Sequence, residues 1–202
     1  MADWFTKADS NSDLQQGDLF LNLELPSIYS ADTSTPDQIK DSIKLSWDKG
    51  SYIVLSQSCD LSTENSSKDM DIVTLAPVFD IESFLKVNPA YQNSSKLGEI
   101  RSNKIVGLHC ISAPSAIYGK HQLLIAVFRR PYLVTIDALT TLSRSRGFKT
   151  RYRLKSPYVE AMSQRFGGIY SRVAIPGKFP NSDEKKSSND ALVSAQQERA
   201  TT

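Results

Sequence analysis

Five consecutive small or polar residues, Ser56-Gln57-Ser58-Cys59-Asp60, are the part of the sequence best suited to chemistry. They place a thiol beside a carboxylate, a pairing that could form part of a catalytic site. The simpler interpretation is a turn in which Asp60 hydrogen-bonds to the local backbone. Ser56, Cys59 and Asp60 are therefore the candidate catalytic residues, and a purely structural turn is the alternative.

A buried strand leads directly into these residues. Tyr52 to Leu55 is an unbroken run of aromatic, β-branched and aliphatic side chains, which is typical of a strand buried on both faces. A strand that ends in polar groups gives a site rigid support. We therefore expect the chain to be organised around this strand.

Cys59 has two further interpretations. As a nucleophile it would need His109 or His121 as a base, because the neighbouring Asp60 carboxylate disfavours the thiolate. As a zinc ligand it would join Asp60, His109 and Cys110, yet the sequence has no Cys-x-x-Cys spacing, and adjacent residues of an extended chain point in opposite directions. A small buried hydrophobic residue is the commoner role of cysteine. We expect no metal ion and no cofactor.

The formal net charge of +2 conceals an asymmetry along the chain. Residues 1–100 contain seven lysines, no arginine and 16 acidic residues, a net charge of −9. Residues 101–180 contain 14 basic and two acidic residues, a net charge of +12. The basic half can bind an anionic partner, or the two halves can neutralise each other within one folded domain.

Basic residues cluster from Ser143 to Lys155, with Phe148 and Tyr152 between them. Lys and Arg contact phosphates and aromatic rings stack on bases, so this segment favours nucleic-acid binding. The alternative is a basic surface loop before a helix. Two further arginines, Arg129 and Arg130, follow the predicted strand Leu123 to Phe128. The candidate nucleic-acid-binding residues are therefore Arg129, Arg130, Arg144, Arg146, Lys149, Arg151 and Arg153.

Three other segments have clear periodicity. Leu21, Leu23 and Leu25 alternate with polar residues and predict a half-buried strand that ends at Pro26. Ile39 to Trp47 fits either a short helix or a strand. Ser156-Pro157 predicts a helix start, and one apolar face follows it. That face consists of Tyr158, Met162, Phe166, Ile169 and Val173.

Composition predicts one globular domain at residues 16–176, between a flexible N-terminal arm at 1–15 and a disordered polar tail at 177–202. The alternative for the arm is that Trp4 and Phe5 dock onto the core. No segment is long and apolar enough to span a bilayer, and the N-terminus lacks the pattern of a secretory signal. Two cysteines are too few for a disulfide framework. We expect a cytoplasmic protein with no membrane partner.

Several short motifs together resemble an uncharacterised bacterial family of similar length. The resemblance covers most of the predicted domain and implies no particular activity. Its motifs in this chain are Gln16-Gly17-Asp18, Ser56-Gln57-Ser58-Cys59-Asp60-Leu61, Leu75-Ala76-Pro77, Ser156-Pro157-Tyr158, Gln164-Arg165-Phe166 and Ser171-Arg172-Val173-Ala174-Ile175-Pro176.

Gly17-Asp18, Ile53-Val54-Leu55-Ser56 and Leu75-Ala76-Pro77 are also similar, in order and placement, to motifs of the PemK/MazF-like toxins. This weaker resemblance implies a small SH3-like barrel that cleaves RNA. Those toxins use an arginine from an early loop and a hydroxyl just after the Ala-Pro strand. This chain has no arginine before Arg101, and Val78-Phe79 follows its Ala-Pro strand, so the usual ribonuclease pair is absent from its usual places. Cleavage would need Arg129, Arg130 or another basic residue of the second half.

These observations predict an α+β, β-rich fold, either an SH3-like small barrel or a bent antiparallel sheet, with a C-terminal helix. The predicted function is a bacterial module related to toxin–antitoxin or phage-defence systems, which contacts RNA or other nucleic acid through its basic second half, or acts through a protein partner such as an antitoxin. The resemblance to the PemK/MazF-like toxins makes a degenerate endoribonuclease one form of this prediction. The alternative is a non-catalytic scaffold or sensor subunit of a multi-protein defence complex.

Overall fold

Eight strands and five helices make up the described part of this protein. The computed structural model describes residues 3–9, 12–30, 43–61, 72–118, 122–145 and 151–170. The chain clusters into two units, Met1–Ile169 and Tyr170–Thr202, and the fold described below belongs to the first. The predicted tail at 177–202 lies outside the described residues.

The strands are β1 (Phe5–Ala8), β2 (Asp18–Ser30), β3 (Ile43–Val54), β4 (Ile72–Asp80), β5 (Leu108–Ser112), β6 (Leu123–Val127), β7 (Tyr132–Thr135) and β8 (Arg151–Leu154). The α-helices are α1 (Ile81–Val87), α2 (Ser94–Arg101), α3 (Ser115–Tyr118), α4 (Ile136–Ser145) and α5 (Tyr158–Tyr170), and a 3₁₀ turn covers Pro89–Tyr91. The predicted α+β, strand-rich class is confirmed.

All eight strands belong to one antiparallel sheet in the order β1-β8-β2-β3-β4-β6-β5, and β7 also pairs with β4. The sheet is open, because none of the described pairings joins its edge strands β1 and β5. It also bends: Phe5 from β1 and Ile111 from β5 belong to the same buried cluster. Asp3, before β1, accepts a hydrogen bond from the Ser115 hydroxyl, just after β5. The two ends of the sheet therefore approach each other.

The central strand is buried on both faces, as predicted. Ile53 and Leu55 belong to one hydrophobic cluster, and Tyr52 and Val54 to the cluster on the opposite face. None of these four side chains is more than 3% exposed. Helix α5 covers the first cluster, helix α4 covers the second, and α1 and α2 contribute to a third around Ile125.

Strand β2 differs from the prediction in two ways. A bulge between Phe20 and Leu23, with Asn22 at a φ of 57°, adds one residue to the strand. As a result Leu21 packs on the opposite cluster from Leu23 and Leu25, although the alternation placed all three on one face. The strand also continues past Pro26 to Ser30.

Pro26 is tolerated because, among the described strands, only β3 pairs with this half of β2. The described pairing with β8 covers Asp18 to Phe20, so no described strand needs the missing N–H of the proline on that side. Residues 43–47, which fitted either a helix or a strand, are the start of β3. Residues 39–42 lie outside the described residues.

The N-terminal segment also differs from the predicted flexible arm at 1–15. Phe5–Ala8 pairs with β8, and the Phe5 side chain is only 4% exposed. Trp4 stacks on Tyr158 of α5 at a ring-centroid distance of 3.9 Å. Burial of these two aromatic rings gives the segment enough apolar contact to hold it on the sheet.

The predicted C-terminal helix is confirmed by α5. Met162 is fully buried, and Tyr158, Phe166 and Ile169 pack against the same cluster. Val173, the last residue of the predicted apolar face, lies outside the described residues. No helix in the described ranges is long and apolar enough to cross a membrane.

Candidate functional site

The Ser56–Asp60 segment is a turn whose hydrogen bonds connect three parts of the chain. The Ser56 hydroxyl accepts a hydrogen bond at 2.8 Å from the backbone N–H of Thr74 in β4. The Ser58 hydroxyl accepts one from the Gln16 backbone N–H at 3.1 Å. Two of the candidate catalytic residues, Cys59 and Asp60, are exposed at the tip of this turn. Ser56 thus has a structural role, while Cys59 and Asp60 remain accessible.

The Cys59 thiol lies 3.5 Å from an Asp60 carboxylate oxygen and 3.6 Å from the Gln57 amide oxygen. Both neighbours are acceptors, so the thiol acts as a weak donor and neither neighbour stabilises a thiolate. In the described ranges no three His, Cys, Asp or Glu side chains lie close enough to hold a metal ion. His121, the second candidate base, lies outside the described residues.

Asp18 anchors the region beside this turn. Its side chain is fully buried, and its carboxylate accepts two hydrogen bonds from Arg153, at 2.7 and 3.1 Å. The Arg151 Nε atom lies 3.3 Å from the same carboxylate, and the Gln15 backbone N–H donates to it at 2.9 Å. The buried Asp18 carboxylate, which belongs to the acidic first half of the chain, is thus neutralised by two arginines of the basic second half.

Two predicted nucleic-acid-binding residues therefore have internal contacts. Arg151 is 6% exposed and donates hydrogen bonds to the backbone carbonyls of Asp9, Ser12 and Asp13. Burial lowers the pKa of Arg151, and the nearby Asp18 carboxylate opposes this effect. Arg153 is less buried and also donates to the Asp13 carbonyl at 2.8 Å. Both arginines hold the loop before β2 against β8.

A polar cleft of about 590 Å³ opens between this anchor, the Ser58 turn and the start of α5. Residues from four of the short sequence motifs noted above line it: Gln16, Ser58, Ser156 and Gln164. Its lining residues are Thr6, Gln15, Gln16, Ser58, Arg153, Leu154, Lys155, Ser156, Val159, Glu160, Ser163 and Gln164.

The walls of the polar cleft are held by specific contacts. The Gln16 side-chain amide donates to the Leu55 carbonyl at 2.7 Å and to the Ser163 hydroxyl at 3.3 Å. Gly17 has a φ of +84°, and a Cβ there would lie 3.0 Å from atoms of both Leu154 and Val159. Only glycine suits this position, because it combines a left-handed backbone with a close approach of β8 and α5.

A second cleft, of about 340 Å³, contains the predicted residues Arg129 and Arg130. Both side chains are exposed, and aromatic rings lie beside them. We call it the arginine–aromatic cleft. Its lining residues are Pro77, Phe79, Phe84, Val87, Asn88, Tyr91, Leu108, Val127, Arg129, Arg130 and Tyr132.

The topology explains how this cleft forms. Strands β6 and β7 pair with successive parts of the same edge of β4, and Arg129-Arg130-Pro131 is part of the connection between them. The two arginines therefore line one cleft together with Pro77 of the Ala-Pro sequence and with Phe79, two residues after it. Gly107, at a φ of +84°, leaves room for Arg129, because a Cβ there would overlap the Arg129 side chain.

The remaining predicted binding residues are less fully placed. Of Arg144, only the backbone within α4 is described, and Arg146 and Lys149 lie outside the described residues. The structure therefore brings Arg129 and Arg130 into one cleft and places Arg153 in another.

Sequence reasoning missed the aromatic side of the arginine–aromatic cleft. Phe79, Tyr91 and Tyr132 come from β4, the 3₁₀ turn and β7, so no local motif connects them. It also missed Asp18 as the partner of Arg151 and Arg153, although Gln16-Gly17-Asp18 stood out as a motif. Opposite charges in the two halves of the chain were the available signal.

No protein-family model, curated protein or solved structure matches this chain. Inferences about its function therefore depend on the two clefts and on the turn between β3 and β4.

Proposed function

We propose that this protein contacts single-stranded nucleic acid through the arginine–aromatic cleft, as a cytoplasmic bacterial module related to toxin–antitoxin or phage-defence systems. The observation that supports the proposal is the presence of two exposed arginines and several aromatic rings in one cavity. Arginine binds phosphate groups and aromatic rings stack on unpaired bases.

The charge of the cleft favours an anion. Two guanidinium groups line it, and no carboxylate is among the described residues that do so. Phe79 is 36% exposed, which is unusual for a phenylalanine and leaves part of its ring available for stacking. The volume is within the range of cavities that take small organic groups, so it can accept an unstacked base.

The relation to PemK/MazF-like toxins is part of the proposal. It rests on the short motifs and on the bend of the antiparallel sheet, whose two ends share one core. The usual hydroxyl after the Ala-Pro strand is replaced by Val78-Phe79, and Arg129 and Arg130 lie beside Phe79. We propose binding as the primary function, and a cleavage assay tests whether these arginines also support catalysis.

A scaffold or sensor subunit is the second candidate function, and one surface favours it. Ile72 and Leu133 are 53% and 66% exposed on neighbouring strands β4 and β7, where Ile72 pairs with Thr135 and Leu133 with Thr74. Exposed apolar side chains on one sheet face are typical of protein-interaction surfaces. A protein partner on this surface would be compatible with nucleic-acid binding at the arginine–aromatic cleft.

The test is fluorescence anisotropy with labelled single-stranded RNA and DNA across a salt series, followed by gel analysis of the same samples for cleavage. The double variant Arg129→Ala/Arg130→Ala should weaken binding and reduce the slope of log affinity against log salt by about 1–2. Phe79→Ala should weaken binding without changing that slope, because it removes stacking but no charge.

The matched control is Lys7→Ala/Lys49→Ala, which removes two exposed positive charges that do not line the cleft. Equal losses in the control and the arginine variant would mean that general charge, rather than the cleft, mediates binding. No binding by the wild-type protein would reject the proposal and favour the scaffold function.

A further inference from the structure

We propose that the polar cleft is a second binding site, which takes a small organic anion: a molecule with a phosphate or carboxylate group and several hydroxyl or amide groups. This site lies between the Ser58 turn, β8 and the start of α5. It is independent of the nucleic-acid contact proposed above, because none of its lining residues lines the arginine–aromatic cleft.

Charge supports an anionic ligand. Arg153 and Lys155 line the cleft, and Glu160 is the one carboxylate among its described lining residues, so the lining carries one positive charge in excess. Outside the lining, Asp18 pairs with Arg151 and Arg153, and the Asp9 and Asp13 carboxylates balance further positive charge near Arg151. The hydrogen bonds of Arg153 to Asp18 and Asp13 use its Nε and Nη2 atoms, so with respect to the described residues Nη1 is left as the donor for a ligand.

Hydroxyl groups add further donors. The hydroxyls of Ser58 and Ser163 each accept a hydrogen bond from Gln16, one from its backbone and one from its side chain. A hydroxyl that accepts one hydrogen bond still has its own proton to donate. Both protons can therefore point towards an oxygen atom in the cleft, and Gln164 and Glu160 can bind polar groups farther along the ligand.

The site is also preorganised. Arg153 lies directly opposite Asp18 in the β2–β8 register, and Asp18 is fully buried, so the guanidinium is fixed before any ligand arrives. Gln16 is fixed by three hydrogen bonds, to Ser58, Leu55 and Ser163. Fixed polar groups lose little conformational entropy on binding, which raises affinity for a small ligand.

The two clefts differ in the ligand that they suit. Aromatic rings line the arginine–aromatic cleft, whereas no aromatic ring is among the described residues lining the polar cleft. The polar cleft instead has three glutamine amides and three serine hydroxyls. Its ligand is therefore held by hydrogen bonds and charge rather than by stacking, and its volume of about 590 Å³ fits a small molecule.

The experiment is isothermal titration calorimetry of the full chain with three probes: adenosine monophosphate, L-glutamate and inorganic phosphate. The first two carry a phosphate or a carboxylate on a polar body, and the third is the bare anion. The variants are Lys155→Ala and Gln164→Ala, both at exposed positions outside the Asp18 anchor. Lys7→Ala is the control, because Lys7 pairs with Tyr152 and lies on the opposite strand face from Thr6 and Arg153.

We expect at least one organic probe to bind more tightly than inorganic phosphate. Lys155→Ala should weaken its binding about tenfold and Gln164→Ala by a smaller factor, whereas Lys7→Ala should leave it unchanged. Preference for adenosine monophosphate or for glutamate assigns the anionic group. Binding should persist in Arg129→Ala/Arg130→Ala, which separates this result from that of the other cleft. Absence of binding at millimolar concentrations, equal binding of inorganic phosphate, or insensitivity to Lys155→Ala would each overturn the proposal.

Discussion

Protonation of His109 should destabilise the folded protein in mildly acidic solution. His109 lies in β5, is 3% exposed and stacks on Phe128 at a centroid distance of 5.7 Å. Neither of its ring nitrogens has a hydrogen-bond partner among the described residues. Burial, with a smaller contribution from the Arg165 guanidinium, lowers the pKa of His109 from 6.5 to about 4.

The sign and size of the effect follow from this shift. Between about pH 6.5 and pH 4 the unfolded chain binds a proton at His109 that the folded protein does not bind, so stability falls as the pH falls. The loss reaches about 2 kcal/mol at about pH 5 and approaches about 3 kcal/mol below pH 4. Above about pH 6.5 the histidine is neutral in both states and contributes no pH dependence.

Urea unfolding at several pH values between about 7.5 and 4.5 measures this effect. His109→Phe should remove most of the loss, because it keeps the stacked ring and removes both buried nitrogens. At about pH 7.5 it should be at least as stable as the wild type. His121→Gln is the control, since His121 is the other histidine of the chain. An unchanged pH profile in His109→Phe would refute the reasoning.

Three other predictions concern the anchor, the glycines and the cysteines. Asp18→Asn should lower the free energy of unfolding, measured with urea, by about 3–5 kcal/mol, because it leaves Arg151 and Arg153 without their buried charged partner. The control is Asp60→Asn at an exposed position, which should change this free energy by less than about 0.5 kcal/mol. Equal losses of stability in Asp18→Asn and Asp60→Asn would contradict the anchoring role of Asp18. In thermal unfolding, Gly17→Ala should destabilise by more than about 1 kcal/mol, because its backbone is left-handed and its Cβ would crowd Leu154. The control is Gly167→Ala: a Cβ at Gly167 in α5 would meet open space, so this variant should stabilise the protein by about 0.5–1 kcal/mol. A stabilising effect of Gly17→Ala would show that the two glycine positions do not differ as we expect. Iodoacetamide labelling followed by mass spectrometry should modify exposed Cys59 rapidly and Cys110 slowly, because burial raises the pKa of the Cys110 thiol to about 11. Faster labelling of Cys110 would show that β5 is more accessible than described.

The sequence predicted the local elements better than their arrangement. The apolar run at Tyr52 to Leu55 and the helical spacing after Ser156 each reflect burial of a single element, so both were recognisable. The bulge at Asn22 was not, because nothing in an alternating leucine pattern marks the inserted residue. The strand at Phe5–Ala8 has only four residues, two of them polar, and it is stabilised by pairing with distant β8.

The same limit applies to the candidate sites. Clustered arginines predicted a binding surface, but sequence spacing could not separate Arg151, which is buried against the loop before β2, from Arg129, which is exposed in a cleft. That separation depends on strand pairing: Arg151 lies in β8, which pairs with β2 more than a hundred residues away, whereas Arg129 lies in the connection between β6 and β7. The Ser58 turn was recognised as a polar stretch, whereas its contact with Gln16 required the tertiary structure.

The position of β8 between β1 and β2 has a consequence for the order of folding. Both neighbours are near the N-terminus, yet among the described strand pairings they are connected in the sheet only through residues 151–154. During synthesis, β1 lacks the strand it pairs with in this sheet, and the edge of β2 that faces β8 stays unpaired, until those residues leave the ribosome. Contacts of such high sequence separation close slowly. A nascent chain that stops before Arg151 therefore exposes an unpaired strand edge, which is a site for aggregation or for a chaperone.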